Sequence, residues 1–415
     1  TRFYDNETDN YQQDHYQLHW NERVSENWNT NLAFHYTKGK GYYENYKEDA
    51  DFSEYGLNPF TISGSTMNTT DLVRRKWLDN DFYGTTFSAN YESEKVDLFL
   101  GGGINKYEGD HFGNVIWARF ASQSELGDRY YDDVATKTDG NLYSKINYQA
   151  TTKLSLFGDL QIRNVHYRAN AIETGLVNDS FTFFNPKAGF NYTLNNNSNL
   201  YFSFARANRE PNRTDYEGGN VRPEQLNDYE LGWRFATNKF QLNSNFYYMA
   251  YRDQLILTGT LDDVGNPIRS NSEKSFRLGL EVDANWMFSE QLSVRPNFTL
   301  SRNKNSNLNV DGQNFGTTDI SFSPSLIAGN SIIYKPVNQV QIVWLQKYVG
   351  SQFKNNIESS VAKLDAYFVN DLNISYEIKP KTIFKTIEFN ALINNIFNQK
   401  YVSNGYMWDI YPYYY

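Results

Sequence analysis

Residues 276–288 read Phe276-Arg277-Leu278-Gly279-Leu280-Glu281-Val282-Asp283-Ala284-Asn285-Trp286-Met287-Phe288. Every even position is apolar, while Arg277, Glu281, Asp283 and Asn285 fall on odd ones. Successive side chains of a strand point to opposite faces, so the stretch predicts a strand with one apolar and one polar face. The rule holds again for Tyr16, Leu18 and Trp20 against His15, Gln17 and His19. It also holds for Leu154, Leu156, Leu160 and Ile162 against Ser155, Asp159, Gln161 and Arg163, and for Tyr229, Leu231, Trp233 and Phe235 against Glu230, Gly232 and Arg234. Counting such runs yields about sixteen strands, many of them about nine residues or longer, the length that crosses a bilayer.

Composition points the same way. The chain has 415 residues, 40% hydrophobic and 17% aromatic, leaving 40 − 17 = 23% for Ala, Val, Ile, Leu and Met. Tyr (33) and Phe (29) therefore dominate the apolar side chains, where a globular chain relies on Leu and Ala. The aromatics argue against disorder. No window approaches the roughly eighteen unbroken apolar residues of a membrane helix. Cysteine is absent, which excludes disulfides, thiolate metal sites and a cysteine nucleophile. A net charge of −9 disfavours nucleic acid as a partner. The start, Thr1-Arg2-Phe3-Tyr4, carries no secretion-signal pattern, so any such signal is expected outside this stretch.

The connections alternate in length. Short polar turns fall near 21–27, 92–95, 150–153, 195–198, 237–239, 289–291, 335–339 and 379–386. Longer stretches fall near 44–70, 108–137, 209–226, 255–274, 304–319 and 350–365. Short periplasmic turns alternating with long extracellular loops are the mark of an outer-membrane barrel. The expected fold is all-β, a transmembrane antiparallel up-and-down β-barrel. Trp20, Trp28, Trp77, Trp233, Trp286 and Trp344 lie near strand ends, where aromatic girdles sit. With this polarity both chain ends fall on the extracellular side. The natural even-stranded design then predicts a fragment, with an odd number of strands missing at each end.

Two segments resemble a known family. Arg222-Pro223-Glu224-Gln225-Leu226-Asn227-Asp228-Tyr229-Glu230-Leu231-Gly232 looks like the PE…YELG segment of TonB-dependent outer-membrane receptors. Asn394-Asn395-Ile396-Phe397-Asn398-Gln399-Lys400-Tyr401 resembles their C-terminal NN(L/I)F(N/D)xxY segment. Phe204–Asn212, Tyr251–Gly259 and Ser275–Glu281 support the likeness, which is strongest to receptors of Bacteroidetes-type bacteria. The resemblance implies a barrel of about 22 strands, of which about sixteen are present here. It also implies an N-terminal plug domain in the lumen and coupling to the TonB–ExbB–ExbD complex through an N-terminal part that this stretch lacks. Outer-membrane lipids surround such a barrel, and some Bacteroidetes receptors carry a surface lipoprotein cap. Transport of this kind involves no covalent chemistry and no cofactor, so no catalytic residue is expected. A passive porin of about sixteen strands and a soluble, aromatic-rich, glycan-binding β-protein are the rival readings.

Candidate residues form two sets. Arg163, Glu230, Arg234, Arg277, Glu281, Asp283 and Arg295 share the polar parity and are expected to line the lumen and contact the plug. The alternative is a hydrated wall of weak cross-strand pairs. Tyr42, Tyr43, Tyr46, Trp77, Tyr130 and Tyr131 combine aromatic faces with neighbouring charges in long loops and are expected to bind ligand, or else to extend the girdle. Arg209 and Arg213 could clamp an anion bidentately. Ferric siderophore, cobalamin and oligosaccharide all suit such loops.

Other constellations are weaker. His15 and His35 are expected nearly opposite on one hairpin, yet the resemblance implies that a haem receptor of this family carries a His in the stretch matching Phe204 to Pro223, which has none here, and this disfavours haem. His111 and His166 read as solvated rim residues. Glu48, Asp49, Asp51 and Glu54 lack the order of a calcium cage and read as a solvated acidic loop. Gly101-Gly102-Gly103 precedes strand rather than helix, so it is no phosphate loop; it marks close approach of a neighbour or of the plug.

Overall fold

The structure, a computed structural model, describes residues 4–121, 125, 127–171, 174–261, 265–310, 312–380, 383–408 and 411–414. Among them, seventeen strands belong to one sheet, and the pairs in it are antiparallel. The chain divides into two compact units, Thr1–Ile146 with Leu160–Phe184, and Asn147–Asp159 with Asn185–Tyr415.

The first unit begins with β1 (Asp9–Arg23) and β2 (Trp28–Asp51). A miniature hairpin follows, β3 (Phe60–Ile62) with β4 (Ser65–Met67), and then β5 (Thr69–Glu92) and β6 (Val96–Ala118). Strands β7 (Arg129–Gln149), β8 (Leu154–Ala171) and β9 (Gly175–Asn195) are shared between the units. β2 pairs with β1 on one side and β5 on the other, and β5 pairs with β6.

The second unit continues with β10 (Ser198–Arg209), a helical turn α1 (Arg213–Glu217), β11 (Glu224–Ala236), β12 (Phe240–Leu261), β13 (Pro267–Met287) and β14 (Leu292–Val310). It goes on through β15 (Gln313–Asp319), β16 (Leu326–Val337), β17 (Val340–Val349), the short pair β18 (Gln352–Phe353) and β19 (Lys363–Leu364), β20 (Tyr367–Ile378) and β21 (Ile387–Ile393). The hairpin β22 (Gly405–Trp408) with β23 (Tyr411–Tyr414) comes last.

Strand alternation survives pairing because directly opposed residues share a face. Leu231, Phe246, Leu280 and Leu300 form one cross-strand row, exposed by 51%, 48%, 38% and 55%. Arg234, Asn243, Asp283 and Asn297 form a row of the opposite parity. An apolar face left this open needs an apolar solvent.

Five of the short turns share one device. Ser25, Ser93, Thr151, Thr237 and Ser289 each accept, at the side-chain hydroxyl, the backbone N–H of the residue three positions on. A hydroxyl in the first turn position closes the reversal without a glycine.

Strands run further than alternation indicates. β2 and β5 have 24 residues each and β6 has 23, and the stretches 255–274 and 304–319 are largely hairpin rather than loop. Ladder hydrogen bonding needs no apolar face, so it continues past the point where alternation fades. At the other end, β21 stops at Ile393, short of the NNIF segment. Asn395 takes a left-handed φ of 48°, and its side chain bonds both the N–H and the carbonyl of Gln399, turning the chain. The register also corrects the histidine pair: His15 opposes Thr37 and His35 opposes Gln17, so the two are diagonal.

Candidate functional site

On the polar face of β11–β13 the charges converge. Arg234 lies over the Tyr201 ring, its guanidinium carbon 4.9 Å from the centroid. Tyr201 lies flat because Gly232 is opposite; a Cβ there would come within 2.0 Å of the ring. Asn243 Nδ2 donates to Asp283 Oδ1 at 3.5 Å. Together with Glu281 these residues line a recess of about 580 Å³. Glu281 also borders an adjoining recess of about 310 Å³, shared with Glu230 and Arg277. Arg277 Nη1 donates to Ser323 Oγ at 3.0 Å.

Five of the seven residues expected on the polar wall therefore meet in one place. Arg295 stands apart near the short-turn end, its Nε donating to Asn285 Oδ1 at 3.4 Å. Arg163, in the first unit, is held by Asp139, with Nε to Oδ2 at 3.0 Å.

The loop aromatics divide between two faces. Alternation continues along β2 without a bulge as far as Lys47, which puts Tyr42 opposite Trp77, and Trp77 opposite Phe112. This ladder, with centroids 4.5 and 5.8 Å apart, keeps the parity of Leu32, Phe34 and Tyr36. It is therefore on the apolar, girdle side. Arg75 covers Tyr42 at 4.3 Å and donates to Glu44 Oε2 at 2.6 Å, and Arg129 covers Phe112 at 3.6 Å. Tyr46 has the same parity, opposite Val73, and its N–H donates to Glu7.

Tyr43 opposes Lys76 and takes the other face, where a Cβ at Gly113 would meet Tyr130 and Tyr131. Tyr130 packs against Tyr55 at 4.9 Å, beside a small core of Phe52, Leu57, Leu72 and Val115. Burial pushes the Tyr55 hydroxyl pKa up. Tyr130 is thus mainly a packing residue.

Arg209 and Arg213 do not stand open to an anion. Arg209 Nε is 3.0 Å from Glu224 and its Nη1 3.9 Å from the fully buried Asp215; Arg213 is 3.5 Å from Glu217. Asp215 and Asn212 form a reciprocal cap on α1, so the cluster first of all fixes the loop.

The acids read as a solvated loop also have structural work. Asp51 caps the turn 52–55 through Ser53 N–H at 2.8 Å, and Asp49 accepts from the Thr69 hydroxyl at 2.6 Å. No group of three or more His, Cys, Asp or Glu fit to hold a metal occurs among the described residues. His35 Nε2 is 2.8 Å from Asn105, and His166 Nδ1 is 2.7 Å from Ser180. At Gly101 the close neighbour is the Tyr143 ring, and at Gly102 it is the Asn141 carbonyl.

Three features escape alternation altogether. Asn330, Gln346 and Asn370 form an amide row on the apolar parity: Asn330 Nδ2 donates to Gln346 Oε1 at 2.9 Å, and Trp344 Nε1 to Asn370 Oδ1 at 3.0 Å. Asn356 knots the long loops, donating to the Leu257 carbonyl and accepting from Ser321 N–H. Beside it lies a recess of about 550 Å³. Residue type alone gives no signal for any of them, because each depends on register.

The family model for the TonB-dependent receptor-like β-barrel matches residues 1–396. The chain belongs to that family of outer-membrane barrels, which are transporters rather than enzymes. Among curated proteins, the ferric-pyoverdine 358 receptor of Pseudomonas putida is 25% identical over 228 residues, covering 52% of this chain and 26% of the relative. Among solved structures, the copper transporter OprC superposes with a TM-score of 0.70 at 15% identity, over 94% of this chain and 60% of that one. The siderophore receptor PiuA from Acinetobacter baumannii gives 0.67 at 14% identity, over 98% and 63%. The chain thus spans about a quarter of the curated relative and about three-fifths of those structures. Membership replaces both the porin and the soluble glycan-binding readings.

Proposed function

We propose that the full receptor binds a scarce, bulky ligand of the ferric-siderophore class and imports it with energy transmitted by TonB. The observation that carries this reading is the joining of Glu230, Arg234, Arg277, Glu281 and Asp283 around two adjoining recesses on the polar face of a receptor-family barrel. Charges of both signs, solvated and loosely paired, make a surface that can hold a plug by hydrogen bonds and release it at small cost. Similarity to the ferric-pyoverdine 358 receptor of Pseudomonas putida supports the iron-chelate class.

Uptake of radio-iron chelates by iron-limited cells with and without the receptor tests the reading. Receptor-dependent uptake that stops when the proton gradient is uncoupled is the expected result. Uptake that persists after uncoupling would sink energised transport, and none at all would sink the iron-chelate class.

A further inference from the structure

Resting on that reading, we infer that the recess at the long-loop end of the second unit receives the ligand, and that the chelate it takes is electrically neutral, of the ferric tris-hydroxamate class. The recess, about 550 Å³, has the size of a small-molecule pocket, roughly 300–1,000 Å³. Leu257, Leu261, Pro267 and Phe322 supply apolar wall, and Thr260 and Gln352 supply hydrogen-bonding groups. No charged side chain lines it among the described residues. The charged residues in the sequence between Leu261 and Gly265 are acids, Asp262 and Asp263, which lie outside the described residues.

The wall is formed before any ligand arrives. The Leu257 carbonyl accepts from Ser321 Oγ at 2.9 Å and from Asn356 Nδ2 at 2.6 Å, and Thr258 Oγ1 donates to the Ile268 carbonyl at 3.0 Å. Phe322 N–H donates to the Phe353 carbonyl at 2.8 Å. Gly259, at φ +93°, allows the strand to approach Lys354, whose carbonyl would lie 2.5 Å from a Cβ at that position. Such a wall gives up little conformational freedom on binding.

Charge selects between the iron chelates. Three singly ionised hydroxamates cancel the charge of Fe(III), whereas three doubly ionised catecholates leave the complex strongly anionic. An anion buried in a recess without cations loses hydration and gains no partner. Five cations elsewhere in this unit's loops are already engaged: Arg209 with Glu224, Arg213 with Glu217, Arg222 with Asp253, Arg269 with Asp215 and Lys304 with Asp319.

The test uses the full-length receptor in iron-limited cells, with radio-iron supplied as ferrichrome, a neutral tris-hydroxamate, or as ferric enterobactin, an anionic tris-catecholate. Leu261→Glu places a carboxylate on the apolar wall, and Leu261→Met keeps the wall apolar; surface labelling equalises receptor levels. Energised uptake of ferrichrome, lowered at least about tenfold by Leu261→Glu and retained by Leu261→Met, is the expected result. Ferrichrome uptake unchanged in Leu261→Glu would overturn the assignment of the recess. Uptake of ferric enterobactin in preference to ferrichrome would overturn the charge class while leaving energised iron uptake intact, and would point to the Lys363 and Lys400 recess. Energised uptake of neither would overturn this inference, while the proposed function would fall only if no other ferric chelate were taken up either.

Discussion

Asn370 is 2% exposed although it lies on the apolar parity of β20, between Phe368 and Leu372. Its Oδ1 accepts the Trp344 indole N–H at 3.0 Å and is 3.5 Å from Gln346 Nε2. Buried polar groups keep their stability only while every partner is present. Asn370→Ala should therefore destabilise the barrel by about 1–3 kcal/mol, because two donors are left unpaired away from water. Thermal unfolding of the full-length receptor in detergent reads the effect. Replacing Asn330, Gln346 and Asn370 together by Leu should recover only part of it, since no orphaned amide remains but the Trp344 indole N–H still lacks its acceptor. At this scale the sequence exposes side-chain parity and little else: Arg209 looks open to an anion until Glu224 and Asp215 are seen beside it.

The turn at 52–55 shows how one element holds a loop. Asp51 accepts from the Ser53 N–H and hydroxyl, both at 2.8 Å, and Leu57 N–H returns to the Phe52 carbonyl at 2.9 Å. The Ser53 N–H holds the Asp51 carboxyl below its ordinary pKa of 3.8. A carboxylate with a lowered folded pKa contributes stability that is present above the unfolded value and lost as pH falls through the folded one. The hydrogen-exchange protection factor of the Leu57 amide should therefore hold above pH 3.8 and decline below it. Asp51→Asn, which keeps an acceptor without the charge, should abolish that decline; a decline that survives would refute the cap's role. The short turns are more legible, because Ser25, Ser93, Thr151, Thr237 and Ser289 stand three residues before an apolar strand start. The hairpins at 255–274 and 304–319 are not, since their strands lack alternation.

For the molecule as a whole, the two sheet faces meet different solvents. Leu280 belongs to the open apolar row, with Trp286 toward the short turn and Phe276 toward the long loops. A cation there must enter hydrocarbon, so Leu280→Arg should cost about 2–4 kcal/mol. Asp283→Asn, on the polar face, should leave folding nearly unchanged. Folding titrations of the full-length receptor into lipid vesicles distinguish the two. Equal costs would mean that the apolar row does not face lipid.

The alternation of Phe276–Phe288 was enough to establish strands and their two faces, because strand parity is a local, period-two property of the chain; the membrane as the solvent for one face was expected from strand length, the order of short and long connections and the family resemblance. Tertiary structure alone decided which residues meet: Tyr42 with Trp77, Tyr43 with Lys76, Tyr201 over Gly232, and Asn356 with Leu257 from 99 positions away. Such meetings depend on cross-strand register and on how long loops fold back. A single residue of slip exchanges the faces of a strand, and loop closure brings together residues that no local pattern relates.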